Sequence, residues 1–353
     1  MSLEDRVMEL AEDVEPADPS AAKTARERHL ALAKPPGSLG RLEEAGVKLA
    51  GMAGECPPPV PENPAVVVCA GDHGVLARGV SPWPREVTAA MVRNFCSGGA
   101  AVNALARTVG ARISVLDVGV ASDLDRHPML RAAKVRRGTD DLSRGQAMGR
   151  EEAARAVMAG AGVAEELVSS GGVDLLVTGD MGIGNTTPAA CLIAAFTGRY
   201  AEEVTGRGAG IDDATLELKI RVVKEALELH AAEPGDPIGT LATLGGLEHA
   251  ALVGVILAGA VYGVPVVLDG VVSGSAALVA RALAPACLDY VISGHLSTEP
   301  GARIALESLG LSPLLNLEMR LGEGTGGLLA VPLVQATARV LGEMATLEEV
   351  GLE

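Results

Sequence analysis

Residues 173–196 read VDLLVTGDMGIGNTTPAACLIAAF: a short apolar run, then a glycine-rich turn, then a helical segment. The run is apolar throughout rather than alternating, which indicates a strand buried on both faces. Asn185 or Thr186 suits the cap of the following helix, and Pro188 suits its first turn. Free amides at such a helix start, together with its dipole, attract a phosphate. The loop is not a Walker motif, because no Gly-Lys-Ser/Thr follows, and it lacks the third glycine of the dinucleotide fingerprint.

The same order recurs outward from this stretch. Apolar runs stand at AVVVCAG (65–71), ISVLDVG (113–119), PVVLDG (265–270), LDYVISGH (288–295) and LLNLEMRLGEG (314–324). Helical patterns such as EVTAAMVRNF, EEAARAVMAGAGVAEELV and ALVGVILAGAVY lie between them. Strand and helix in alternation predict an α/β fold with six parallel strands and helices on both sides. Residues 1–50 read as helical, with Leu3, Val7, Leu10 and Ala11 at helical spacing. The segment CPPPVPENP (56–64) carries five prolines in nine residues, a semi-rigid connector that marks a boundary. A terminal helix from 328 is expected to return to the N-terminal ones. The expected division is a small helical domain, 1–60 with 328–353, and a large domain, 61–327.

Composition removes several classes of function. Of 353 residues, 48% are apolar and 21% charged, which excludes disorder for most of the chain. The formal charge is −16, and no basic run is longer than Arg136-Arg137. Only six residues are aromatic, so neither phosphate clamps nor stacking platforms for nucleic acid are present. Ala250 to Leu268 is 19 residues without a charge, yet Gly263 and Pro265 break it. It reads as a buried helix and a buried strand, so no membrane span is expected. The five cysteines are scattered, with Cys69, Cys96 and Cys191 among apolar or small neighbours. They read as buried free thiols in a reducing, cytoplasmic compartment. The first fifteen residues, MSLEDRVMELAEDVE, are acidic and helical rather than a signal peptide.

In open α/β sheets the ligand lies beyond the C-terminal strand ends. Here those ends carry Gly71-Asp72-His73-Gly74, Gly179 to Thr187, Asp269-Gly270, Ser293-Gly294-His295 and Glu318 to Gly327. Glycine at nearly every exit lets backbone approach a ligand closely. Glu318, at the end of an apolar run beside a four-glycine loop, is expected to be partly desolvated, which suits a general base. Its alternative is an ion pair with Arg320. Glu323, inside the loop, reads as solvated or capping. Asp72, His73, Asp180 and His295 offer a second reading, a metal-dependent phosphohydrolase, although no H-x-x-H spacing supports it. A third is a nucleotide-binding module without catalysis. Ser273 and Ser275 fail the nucleophile-elbow pattern.

Seven blocks then carry a resemblance: KPPGSLGRLE (34–43), AGDHGV (70–75), GVSPWPREVTAAMVRNFCSGGAAVN (79–103), GDMGIGNTTPAA (179–190), LDGVVSGSAAL (268–278), ISGHLSTEPG (292–301) and LEMRLGEGTGG (317–327). In this order they resemble the nicotinate-nucleotide–dimethylbenzimidazole phosphoribosyltransferases. The resemblance implies transfer of phosphoribose from nicotinate mononucleotide to 5,6-dimethylbenzimidazole in cobalamin nucleotide-loop assembly. It implies a homodimer, a large domain with a parallel Rossmann-like sheet, a small helical domain from both chain ends, and no metal or cofactor. It assigns Glu318 as catalytic base with Asp180 as a second carboxylate. Met181, Gly182, Ile183, Gly184, Asn185, Thr186, Lys219, Ser293 and Gly294 would hold the phosphoribosyl group. Asp72, His73, Ser81, Met91 and Leu317 would hold the base. Two positions depart from the family pattern: Asp180 where relatives often have Glu, and Ala90 where they often have Gln.

Overall fold

Eight consecutive buried residues, Pro64–Gly71, form strand β1. The computed structural model describes residues 1–231 and 233–352. Five more strands follow: β2 (Arg112–Gly119), β3 (Leu130–Ala132), β4 (Leu175–Met181), β5 (Val266–Leu268) and β6 (Val291–Ser293). All pair in parallel, in the order β3-β2-β1-β4-β5-β6. The chain builds outward from β1 to β3, then returns to place β4 on the other side of β1. The exits of β1 and β4 therefore flank a topological switch point, where α/β sheets bind ligands.

The sheet has six parallel strands as expected, but its membership differs. The run 314–324 is not a strand. It makes a single bridge, His295 to Leu315, and then leaves the sheet. Glu318 lies at φ +56°, in the left-handed region that an extended strand does not visit. The edge strand is instead Leu130-Arg131-Ala132, three residues with no apolar run and none fully buried.

Helices Arg150–Glu165 and Leu247–Val261 pack backbone to backbone. A Cβ on Gly160 would stand 1.9 Å from the Ala251 carbonyl, and one on Gly254 would stand 1.9 Å from the Val157 carbonyl. Leu247 to Ala260 are all buried, so the uncharged stretch at 250–268 belongs to the core. Among the described residues no helix is long and apolar enough to cross a membrane. All five cysteines are free, and Cys69, Cys191 and Cys287 are buried. Cys96, expected inside, is half-buried, because its helix, Glu86–Ser97, turns Thr88, Ala89, Val92 and Phe95 inward.

The last long helix, Thr325–Glu343, links the two ends of the fold. At its start, a Cβ on Gly327 would lie 2.6 Å from Val177 of β4. Near its finish, Leu341 joins Ala25, Val47 and Ala50 in a small apolar cluster with the N-terminal helices Pro19–Ala31 and Arg41–Ala53. Leu341 lies so close to Gly46 that a Cβ there would meet it at 3.1 Å. The amide of Ala33 donates to the Ala345 carbonyl over 2.9 Å, just beyond the helix.

Candidate active site

A cavity of about 320 Å³ opens beyond β4, and the whole run Asp180 to Thr186 lines it. The turn is built by close contact. A Cβ on Gly182 would lie 2.4 Å from the Gly71 carbonyl and 3.1 Å from His73 Nε2. The Ile183 amide donates to Thr88 Oγ1 over 3.1 Å. The helix Thr186–Thr197 begins here without the side-chain cap expected of Asn185 or Thr186. Asn185 instead donates through Nδ2 to Asp180 Oδ2 over 2.8 Å. Among the described residues, the amides of Gly184 and Thr186 donate to no protein acceptor, which leaves them for an anion.

The cations of the cavity stand on the same side. Lys219, 1% exposed, donates to Thr186 Oγ1 over 2.7 Å and to the Gly206 carbonyl over 3.0 Å. Burial pulls its ammonium down to about 8, while Glu299 opposes the fall. Glu299 also accepts from the Gly208 amide over 2.8 Å and lines the cavity. Arg207 and Arg320 complete this wall, with Arg320 Nη1 donating to the Gly208 carbonyl over 3.1 Å. The arrangement suits an anionic group at the helix start.

Asp180 lines the cavity at the start of the same loop, and Glu323, bonded to it through the backbone, is buried just outside the lining. Asp180 is buried and pushed up to about 8, first by burial and then by the nearby charges of Asp269, Glu248 and Glu323. Glu323, 4% exposed, is also raised, by burial and by Asp269, against the Val102 amide that its Oε2 accepts over 3.3 Å. Its own amide donates to the Asp180 carbonyl over 3.2 Å. The desolvated environment expected at Glu318 is therefore found at Asp180 and Glu323. Glu318 itself is exposed and does not line the cavity. Arg320 forms no ion pair with it within 4 Å; its guanidinium turns to Gly208 instead.

Other expected site residues separate into two groups. Ser81 and Lys219 line the cavity. Ser293 and Gly294 lie behind it, since Gly294 donates to the Leu268 carbonyl and packs against Gly327; His295 and Ser297 form the wall in their place. Asp72 and His73 are buried beneath the glycine turn. Asp72 accepts from the Ala121 amide over 2.7 Å, and His73 Nε2 lies 2.6 Å from Glu248 Oε1. Met91 is half-buried on its helix away from the cavity lining, and Leu317 is exposed.

Of the four residues of the metal-hydrolase reading, Asp180 and His295 line the cavity while Asp72 and His73 do not, and each is bound elsewhere: Asp72 to Ala121, His73 to Glu248, Asp180 to Asn185 and His295 beside Asp269. Among the described residues the grouping with metal-ligating atoms close together is His73, Glu248 and His249, all fully buried. There burial would raise Glu248, but His73 and His249 hold it down to about 2.

Known proteins closely similar to this chain identify its family. A family model described as phosphoribosyltransferase matches residues 14–352. A protein from Salinispora tropica named nicotinate-nucleotide–dimethylbenzimidazole phosphoribosyltransferase is 53% identical over 351 residues, covering 96% of each chain. The chain belongs to this phosphoribosyltransferase family. A family member from Chloroflexus aggregans is 53% identical over 337 residues, covering 96% of this chain and 95% of its own. The crystal structure of the phosphoribosyltransferase from Thermus thermophilus superposes with a TM-score of 0.90 at 47% identity, covering 95% of this chain and 99% of that one. Sequence reading passed over Arg207, Ser297 and Arg320 in this phosphoribosyltransferase cavity. Ser297 lay two residues beyond His295 in the same block, which was the available signal.

Proposed function

We infer that this chain transfers the 5-phosphoribosyl group of nicotinate mononucleotide to 5,6-dimethylbenzimidazole, a step of cobalamin biosynthesis, giving α-ribazole 5′-phosphate and nicotinate. The observation that carries the site assignment is one cavity in which a helix start beside a buried cation meets the buried acid Asp180, with Glu323 joined to Asp180 through the backbone just outside the lining. The phosphate is assigned to the Gly184 and Thr186 amides and Lys219. The pyridinium nitrogen of the donor leaves neutral, so that bond needs no acid. The acceptor ring must lose a proton. One azole nitrogen attacks C1′ as the nicotinate nitrogen departs from the opposite face, and the N–H proton of the other passes to a carboxylate.

Glu323 is assigned as that carboxylate. The resemblance assigns Glu318, but of the two glutamates in LEMRLGEGTGG Glu318 is exposed and only Glu323 is buried beside the cavity acid Asp180. Asp180, held near 8, keeps a proton at neutral pH and offers the second carboxyl as a donor. We further propose a homodimer in a reducing cytoplasm. Trp83, Leu317 and Leu321 are half or more exposed, and Leu321 stands at the cavity itself. The test is to supply nicotinate mononucleotide with and without the azole and to read the anomeric configuration of the product by NMR. Nicotinate released without azole, or a β product, would overturn the reading.

A further inference from the structure

We propose that Asp269 is a positioning residue for this transfer: from the end of β5 its buried carboxylate clamps the start of the helix Thr325–Glu343 and so sets where Glu323 stands beside Asp180. The proposal rests on the acid-pair reading above. Asp269 is 3% exposed and does not line the cavity. Oδ1 accepts from the Gly326 amide at 2.7 Å and the Gly327 amide at 3.1 Å, while Oδ2 accepts from the Gly324 amide at 3.1 Å. The Gly326 and Gly327 amides are the donors that a helix normally leaves to its own cap residue, and the Gly324 amide is that residue's own.

Here that residue has nothing to offer. Gly324, at φ +84°, is the cap, and a Cβ on it would strike Val66 Cγ2 at 2.5 Å. A Cβ on Gly326 would strike the His295 ring at 1.9 Å. Packing forbids side chains at 324, 326 and 327, and the Thr325 hydroxyl turns back to the Gly322 carbonyl, so the cap comes from another strand. Asp269 is itself fixed, since its amide donates to Thr178 Oγ1 over 3.1 Å, and Thr178 Oγ1 donates to Ser273 Oγ over 2.8 Å. Glu323 precedes the cap residue at φ +64° and is therefore held between two anchors, the Asp180 carbonyl and the clamped Gly324 amide.

The clamp also carries charge. After burial, Asp269 is the largest influence raising Asp180, and it raises Glu323 as well. The other titratable groups facing the pair are Glu248 and His249 from the helix Leu247–Val261, His73 after β1, and His295 after β6, whose Nε2 lies 3.4 Å from Asp269 Oδ1. Removing the Asp269 charge therefore lowers the pH at which Glu323 becomes an acceptor.

The test compares Asp269→Asn and Asp269→Ala in the full chain, with Glu323→Gln beside them. Asp269→Asn keeps the volume and part of the clamp. It is expected to move the acid limb of the kcat–pH profile down by about one unit, with KM for nicotinate mononucleotide changed by no more than about twofold. Asp269→Ala is expected to speed hydrogen exchange at amides 324–327 and to lower kcat by about a hundredfold, as ångström-scale misplacement does. An unmoved acid limb, or faster exchange with native kcat, overturns the positioning role. If Glu323→Gln itself turns over at the native rate, the acid-pair reading fails instead, and the two failures are told apart.

Discussion

The amide of Glu323 donates to the main-chain carbonyl of Asp180 over 3.2 Å. Two acids far apart in the chain are thus joined by backbone, at the switch point of the sheet. Their closeness does not depend on side-chain rotamers. It also means that either side chain can be replaced without releasing the other loop.

That arrangement separates the two candidate bases. Glu323→Gln is expected to lower kcat by about 10²–10⁴-fold, the usual range for a lost general base. Glu318→Gln, at an exposed position, is expected to keep near-native turnover. Steady-state nicotinate release for both variants decides between them, and the opposite ranking would return the role to Glu318.

Asp180 gives a stability signature. Its carboxyl sits at about 8 in the folded chain against 3.8 in the reference state, so between those values the folded form holds a proton that the unfolded form has released. Stability then falls as pH rises through this window, because the unfolded state binds fewer protons. Asp180→Asn, which imitates the protonated acid, is expected to gain in Tm over the native chain. The gain should grow from near zero at about pH 4 to a plateau above about pH 8. A pH-independent difference in Tm would show that Asp180 does not hold this proton.

Lys219 should set the alkaline limit of donor binding. Buried at about 8, it loses its charge above that pH in the empty site. KM for nicotinate mononucleotide is expected to rise above pH 8, with the rise absent in Lys219→Met, whose KM is already about ten- to a hundredfold higher. Equal slopes for the two proteins would remove Lys219 from phosphate binding.

Gly182→Ala probes the glycine turn. The added methyl would face the Gly71 carbonyl at 2.4 Å, a backbone atom on the central strand that has no room to yield. The expected cost is about 1–3 kcal/mol of stability, together with loss of donor binding. Thermal unfolding and equilibrium binding of the mononucleotide check both parts, and native values for both would contradict the close approach.

The parallel α/β sheet was legible because its long strands are continuous apolar runs and each exit carries glycine. The edge strand Leu130–Ala132 was not, since three half-exposed residues carry no pattern. Glu318 was misplaced for a related reason. Its neighbours LLNL are apolar, but that stretch lies on the rim after a single bridge and does not enter the sheet. Glu323 reads as solvated or capping because glycines surround it, and it does cap, accepting from the Val102 amide at a helix start, but it is not solvated. In the fold those glycines are small so that Gly179, Val66 and His295 can close around the loop, and that closure desolvates the acid. The clamp by Asp269 was beyond reading from sequence, because its partners lie 55 to 58 residues away.

The helix Thr325–Glu343 starts where the acids meet and finishes where Leu341 seats near Gly46. Its nineteen residues therefore act as a spacer of fixed length, about 28 Å at 1.5 Å per residue. Losing one residue from its middle would turn the far end by about 100° and swing Leu341 away from its seat. An insertion or deletion within this segment would therefore disturb the link between the acids and the N-terminal helices even at positions that touch neither substrate.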